Sequence, residues 1–375
     1  MASIATRRRR RRILHVIPTL WSGAGDALTH LCELQSDRDD VMVITSALRG
    51  ALADWPAYRR RLRTAGVRHA TVDTFARAPE VFWRSVVRLG ELARGWSPDI
   101  VHTHAGVPTL AWALAHHTGH PRHVAHMYSW GAGRPEWMND MDLAGFRRAD
   151  RVVCSARRYE RVLIAGGVEK ARLAYIPWGV RVDRIDAAVA ARRQPTGVPI
   201  GFVGRVEPRK GQLDVIAAFA AARRRVPEAT LAFVGPDADA DYAARCREEV
   251  TRLGLAAHVT WHGHVRDVAP LLAQWRLFVS LSSDEGQGLA VQEAMAARVP
   301  VVTLAAPGLE DFVVDGRTGF VVQSRNAAVV ARTIVAALSG TRESARIARA
   351  AERLVRDRYG WPRCAAAIDR LYRQR

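Results

Sequence analysis

The chain has 375 residues, 49% of them hydrophobic, and a formal net charge of +19. This length accommodates two domains with sizeable cores, and the apolar fraction is that of a globular protein, not a disordered or fibrous one. No apolar run reaches the ~20 residues a membrane-spanning helix needs, and four scattered cysteines (Cys32, Cys154, Cys246, Cys364) without a C-x-x-C pair exclude a zinc ribbon or disulfide framework and point to a reducing, cytoplasmic setting.

Only two of the 56 basic residues are lysines, Lys170 and Lys210, an excess of arginine that reads as the codon bias of a GC-rich bacterial genome. Six arginines, Arg7–Arg12, precede the first strand. Charge of this kind attracts nucleic acid or anionic lipid. No nucleic-acid module or aromatic stacking pattern accompanies it, so residues 1–12 read as a solvated, disordered tail, and no specific nucleic acid is expected as a partner.

The apolar run Ile13–Ile17 predicts the first strand, followed by a Gly-bearing loop at Ser22–Asp26 and a helical pattern from Ala27. Gly23 and Gly25 form a G-x-G, but Leu28 stands at the third position, which makes a weak dinucleotide fingerprint. Strand-like runs follow at "VMVITS", "RHATVDT", "DIVHTH", "RHVAHMY" and "RVVCSA", with helix-like stretches such as Val81–Leu92 between several of them. In that helix Phe82, Trp83, Val86, Val87 and Leu89 interleave with Arg84 and Arg88. The stripe reads first as core packing and second as a peripheral contact with the anionic inner face of a membrane. His102 and His104 are taken to alternate across their strand, hence as buried or cleft-lining residues and not as joint ligands of one metal.

Pro and Gly punctuate "YIPWGVRVDRIDAA", which places the domain boundary near residue 180. The alternation then restarts with "PIGFVGR", "TLAFVGP", "HVTWHGH", "LFVSLSS" and "VPVVTLA", separated by helical patterns. Two such halves predict an α/β protein of two doubly wound parallel sheets facing a cleft, with ligands beyond the carboxyl ends of the strands. The expected division is residues 13–180, 181–358 and a closing helix over 359–375 that crosses back to the first domain.

Two stretches carry chemistry. In "GFVGRVEPRKGQ", Gly204 lets the backbone approach a ligand, and Arg205 and Lys210 converge across a short turn on one anion. In "SSDEGQGLAVQEAM", Gly286, Gln287, Gly288 and Leu289 form a strand-to-helix turn whose free N–H groups favour phosphate. Glu285 precedes that turn, and Glu293 lies two helical turns on, on nearly the same face. Carboxylates beside a phosphate pocket need a neutral intermediary, and sugar hydroxyls supply one. The arrangement implies sugars on either side of a pyrophosphate, that is, a nucleotide sugar. The "DADAD" acids (Asp237, Asp239, Asp241) offer a D-x-D metal reading, but acids alone do not make a cage.

"GRVEPRKG", "EGQGLAVQEAMA" and "VPVVTLAAPGLEDFVVDGRTGFVV" resemble the C-terminal half of retaining glycosyltransferase family 4, whose fold is GT-B; "ILHVIPTL", "DIVHTH", "ADRVVCSA" and "IPWGV" extend the resemblance over nearly the whole chain. It implies that Glu285 contacts the transferred sugar, Glu293 the ribose, Arg205 and Lys210 the diphosphate, and that Glu310 is a further acid of the site. It implies a histidine at the end of the strand "HVAHMYSW", which is either His126 or Tyr128 here. His104, Gly23 and Gly25 become contacts for donor sugar or acceptor, although "SGAGDAL" departs from the usual loop, as Gln287 and Arg298 depart from the usual aromatic and glycine. The expected reaction is transfer from a nucleoside-diphosphate sugar to a hydroxyl-bearing acceptor, with retention and with neither metal nor other cofactor. A nucleotide-sugar epimerase of the same fold is the alternative, and a basic nucleic-acid-binding protein a more distant one.

Overall fold

The computed structural model describes residues 9–48, 56–128, 130, 135–192 and 197–374. They form two compact units: Met1–Pro177 together with Ala365–Arg375, and Trp178–Cys364.

The first unit is built on seven strands: β1 (Arg12–Val16), β2 (Asp40–Ser46), β3 (Arg68–Val72), β4 (Ile100–His104), β5 (Arg122–Met127), β6 (Arg151–Cys154) and β7 (Leu173–Tyr175). All pair in parallel in the order β3-β2-β1-β4-β5-β6-β7. Parallel neighbours require crossovers, which the helices between the strands provide, and a sheet covered on both faces needs apolar runs instead of alternation. "ILHV" and "IVHTH" meet that need and are wholly buried. One face packs Leu14, Val16, Val101 and Ile44 against Phe82, Val86 and Leu89 of the helix Pro79–Trp96.

The second unit has six parallel strands: β8 (Val198–Val203), β9 (Ala229–Val234), β10 (Val259–Trp261), β11 (Leu277–Ser280), β12 (Val301–Leu304) and β13 (Phe320–Val322), in the order β10-β9-β8-β11-β12-β13. Phe202, Phe219, Phe233 and Leu277 centre one core, and Phe278, Met295 and Phe312 the other.

Three expectations change. The disordered tail does not extend through residue 12: Arg12 opens β1, and Arg11 donates to Asp39 (2.9 and 2.7 Å) and to Asp369 (2.7 Å), carboxylates that hold it in place. Arg7 and Arg8 lie outside the described residues. Gly23 and Gly25 are not in a loop but in the first turns of the helix Ser22–Ser36, where Gly25 packs on Leu20. The stripe of the helix Pro79–Trp96 divides between core and surface: Phe82, Val86 and Leu89 are buried, whereas Trp83 and Val87 are 53% and 59% exposed. No helix among the described residues is long and apolar enough to cross a membrane.

Candidate active site

In the second sheet the strand order reverses between β8 and β11, the place where open α/β sheets hold ligands beyond their carboxyl ends. The loop after β8 carries Gly204–Gly211, and the loop after β11 carries Leu281–Gly288. Ser283 donates its N–H to the carbonyl of Arg209 at 3.0 Å. Arg325, beyond β13, donates to the carbonyls of Leu281 (2.9 Å) and Arg209 (2.8 Å), so a single guanidinium ties the two loops together.

Tied in this way, the loops bring Lys210 and Glu285 into contact: Nζ to Oε1 is 2.6 Å, and each side chain is 13% exposed. Arg205 and Arg209 share Glu207 at 3.1 and 2.8 Å. These contacts set Lys210 against Glu285, and both Arg205 and Arg209 against Glu207. An incoming dianion has positive charge to take up by exchanging partners.

Gly288 starts the helix Leu289–Ala296 in the left-handed region (φ 71°), which a side chain would disfavour. Gly288 has no side chain with which to cap this helix, whose first N–H groups therefore suit a ligand or water. Glu293 lies in its second turn, half-buried. Gly308, at φ 90°, lies so close that a Cβ there would sit 2.1 Å from the Glu285 carbonyl oxygen, and the Glu285 N–H donates to Pro307 at 3.0 Å. The Glu310 carboxylate accepts from the N–H of Gly308 at 2.5 Å. Glu310 therefore shapes the segment that positions Glu285.

Gln287 is expected on the donor through its turn. Its side chain is buried and turned inward: Oε1 accepts from Trp178 N–H (2.7 Å), and Nε2 donates to Trp178 O (2.9 Å) and to Gln292 Oε1 (2.9 Å). An amide satisfied on both ends by backbone holds the turn and leaves only its main chain for a ligand. Two of the "DADAD" acids have local partners. Asp239 caps the helix Ala240–Arg252 by accepting from Tyr242 N–H at 2.9 Å, and Asp237 pairs with Arg247 at 2.9 Å.

The first unit contributes a different set. His104 ends β4 and is in register with His126 of β5; both are fully buried, whereas Tyr128, just past β5, is half-buried. Of the two residues proposed for that strand end, Tyr128 is the one with accessible surface. Burial, together with the neighbouring His15, lowers His126 to about 3. The expectation that His102 and His104 diverge is overturned. Residues i and i+2 of a strand point to the same face, and their rings stack with centroids 4.4 Å apart. His15 and Tyr372, which the sequence reading passed over, complete this cluster: His15 Nδ1 lies 3.0 Å from His104 Nε2, and Tyr372 OH lies 2.7 Å from His102 Nδ1. The signal was histidines inside two apolar runs, Ile13–Ile17 and "DIVHTH", which the structure makes neighbours.

The profile for "Glycosyltransferase Family 4" matches residues 21–184, and that for "Glycosyl transferases group 1" matches residues 190–354. The glycogen synthase of Mycobacterium tuberculosis is 30% identical over 303 residues, spanning 77% of this chain and 72% of that protein. The chain belongs to glycosyltransferase family 4. Its fold is GT-B, as in Anabaena HepE, solved with UDP and glucose (TM-score 0.78, 22% identity, 96% of this chain and 99% of that one), and in the sucrose-phosphate synthase of Thermosynechococcus elongatus (TM-score 0.80, 21% identity, 97% and 99%). In this family 4 glycosyltransferase, the Lys210–Glu285 contact joins the two loops that leave the sheet at its switch point.

Proposed function

We propose that this glycosyltransferase moves a sugar from a nucleoside-diphosphate sugar to an acceptor hydroxyl with retention of anomeric configuration and without a metal. The donor is assigned to the second unit and the acceptor to the first. The observation that carries this reading is the 2.6 Å contact of Lys210 with Glu285, beside a helix that starts at a glycine and a second pair of arginines. A diphosphate arriving here takes Lys210 and Arg205 as partners and releases Glu285 to a sugar hydroxyl. Cations already in place when charge grows on the leaving phosphate supply preorganised electrostatic stabilisation, which is the chemistry a divalent ion provides elsewhere. Glu293, in the second turn of the helix, is assigned the ribose hydroxyls. Complexes of HepE with UDP-glucose and with UDP and glucose support a donor of this class.

The test is binding and turnover across UDP-, GDP-, ADP- and dTDP-sugars, with and without EDTA, with the anomer of the product read by NMR. Selective, EDTA-resistant binding and a retained anomer are expected. An inverted product, or binding abolished by EDTA and restored by Mg²⁺, overturns the corresponding part. Donor converted to an isomeric nucleotide sugar without acceptor would identify an epimerase. Glu293→Ala is expected to weaken nucleoside diphosphate binding by roughly 10- to 100-fold, the worth of about one hydrogen bond to a charged group.

A further inference from the structure

The four histidines on one face of the first sheet are more than core filling. His15 of β1 stands beside His102 of β4 by strand register, and His104 follows two residues on, so three imidazoles face one point. All three are fully buried. One ring nitrogen from each lies within 4.8 Å of the others.

The hydrogen bonds around them fix which nitrogens are free to act. His15 Nε2 lies 2.8 Å from the amide oxygen of Gln35, which only accepts, so His15 carries its proton there and turns a bare Nδ1 toward His104. Gln35 is oriented by its own Nε2, which donates to Tyr372 OH at 3.5 Å. The same hydroxyl meets His102 Nδ1 at 2.7 Å. The other nitrogen of that ring, His102 Nε2, is buried with no hydrogen-bond partner among the described residues. His15 and His102 each have one ring nitrogen held from outside the cluster, by an amide and by a hydroxyl, as the partners of ligating histidines commonly do, while His15 Nδ1 and His104 Nε2 lie 3.0 Å apart within it. Plain core packing leaves the solitary His102 nitrogen unexplained, whereas a bound cation satisfies it.

We propose that His15, His102 and His104 bind one borderline-soft divalent cation, Zn²⁺ or a metal of similar preference. Imidazole nitrogen suits Zn²⁺, Co²⁺, Ni²⁺ and Cu²⁺ and not Mg²⁺ or Ca²⁺. None of Arg205, Lys210, Glu285 and Glu293 takes part, so a metal here is compatible with transfer that needs no metal at the diphosphate.

The experiment uses the full chain without a histidine tag. Exposed His116 and His120 could bind metal adventitiously, so the reference protein carries His116→Ala and His120→Ala. It is stripped, dialysed against Zn²⁺ or Co²⁺, desalted, and read by elemental analysis and by visible absorption. The expected result is one metal per chain, Co²⁺ d–d bands of a low-coordinate nitrogen site, and a Zn²⁺-dependent rise in Tm. His102→Gln and His104→Gln should each weaken Zn²⁺ binding by 100-fold or more. A folded reference protein that retains no metal and shows no Co²⁺ bands overturns the proposal, as does metal retained undiminished in both Gln variants. If a Gln variant does not fold, the stoichiometry and Co²⁺ spectrum of the reference protein decide the question.

Discussion

Replacing Glu285 by Gln removes a charge that now holds Lys210 at 2.6 Å and keeps the side-chain shape. Breaking a buried pair by deleting one partner costs ~3–5 kcal/mol; with both side chains 13% exposed, roughly 2–3 kcal/mol is a better figure for Lys210→Ala, which leaves the carboxylate behind. Nucleotide binding separates the two residues more sharply. If the diphosphate displaces Glu285 from Lys210, binding must first break the pair, at a cost of about 1 kcal/mol, less than the deletion figure because the incoming groups replace both partners. Glu285→Gln removes that cost, so nucleoside diphosphate should bind as well as to wild type or up to ~10-fold tighter. Sugar transfer should nonetheless fall 100-fold or more, since a carboxylate contact to the sugar is lost. Lys210→Ala should weaken the same nucleotide by roughly 10- to 100-fold. Isothermal titration of the nucleoside diphosphate beside initial transfer rates reads both quantities. Glu285→Gln weakening nucleotide binding as much as Lys210→Ala would refute the exchange of partners.

Gly308→Ala should distort the Glu285 segment, because the new methyl meets the Glu285 carbonyl and the backbone is left-handed; a loss of about 2 kcal/mol in stability and at least tenfold in transfer is expected, measured by thermal melting and initial rates. Arg298 occupies φ 61° and pairs with Glu352 at 2.6 Å, but its side chain is 59% exposed. Left-handed strain of ~1–3 kcal/mol outweighs a half-exposed pair worth about 1 kcal/mol, because Glu352, itself 10% exposed, keeps Arg356 at 3.1 Å, so Arg298→Gly should raise Tm slightly. His123, buried with Nε2 at 2.9 Å from Thr103, is held neutral by desolvation down to about 3. Its contribution is complete above the ordinary histidine pKa of 6.5 and is lost as pH falls from there toward 3, because the unfolded chain takes up the proton first. His123→Gln should therefore flatten the decline of Tm over that acid range, and an unchanged slope would remove His123 from the account.

The meeting of the two charged loops was legible because it depends on local order. Arg205–Lys210 and Glu285–Glu293 each follow a readable strand, and two strands flanking a switch point bring their exit loops together whatever the details of packing. What sequence order conceals is partner choice. Nothing in "EGQG" says that Gln287 turns inward to the backbone of Trp178, 109 positions away, because that depends on how an earlier segment packs. Arg325 likewise shows in the sequence as one more arginine among many, and its role as the tie between the two loops appears only once the loops are placed. The histidine face was missed for a simpler reason: a period of two puts His102 and His104 together, and the register between β1 and β4 adds His15.

The first unit takes its last residues from the far end of the chain, and this bears on how it is made. Tyr372 closes over His102, and Asp369 closes on Arg11, 270 and 358 positions apart in sequence. Synthesis at ~5–20 residues per second leaves an interval of roughly 10–40 s between the emergence of Pro177 and that of Tyr372. During that time the nascent sheet has all seven strands but lacks the hydroxyl and carboxylate that finish its face. The second unit, continuous from Trp178 to Cys364, meets no such delay. The half of the molecule synthesised first is thus the half completed last, and a chaperone attending the nascent chain would find its longest-lived client there.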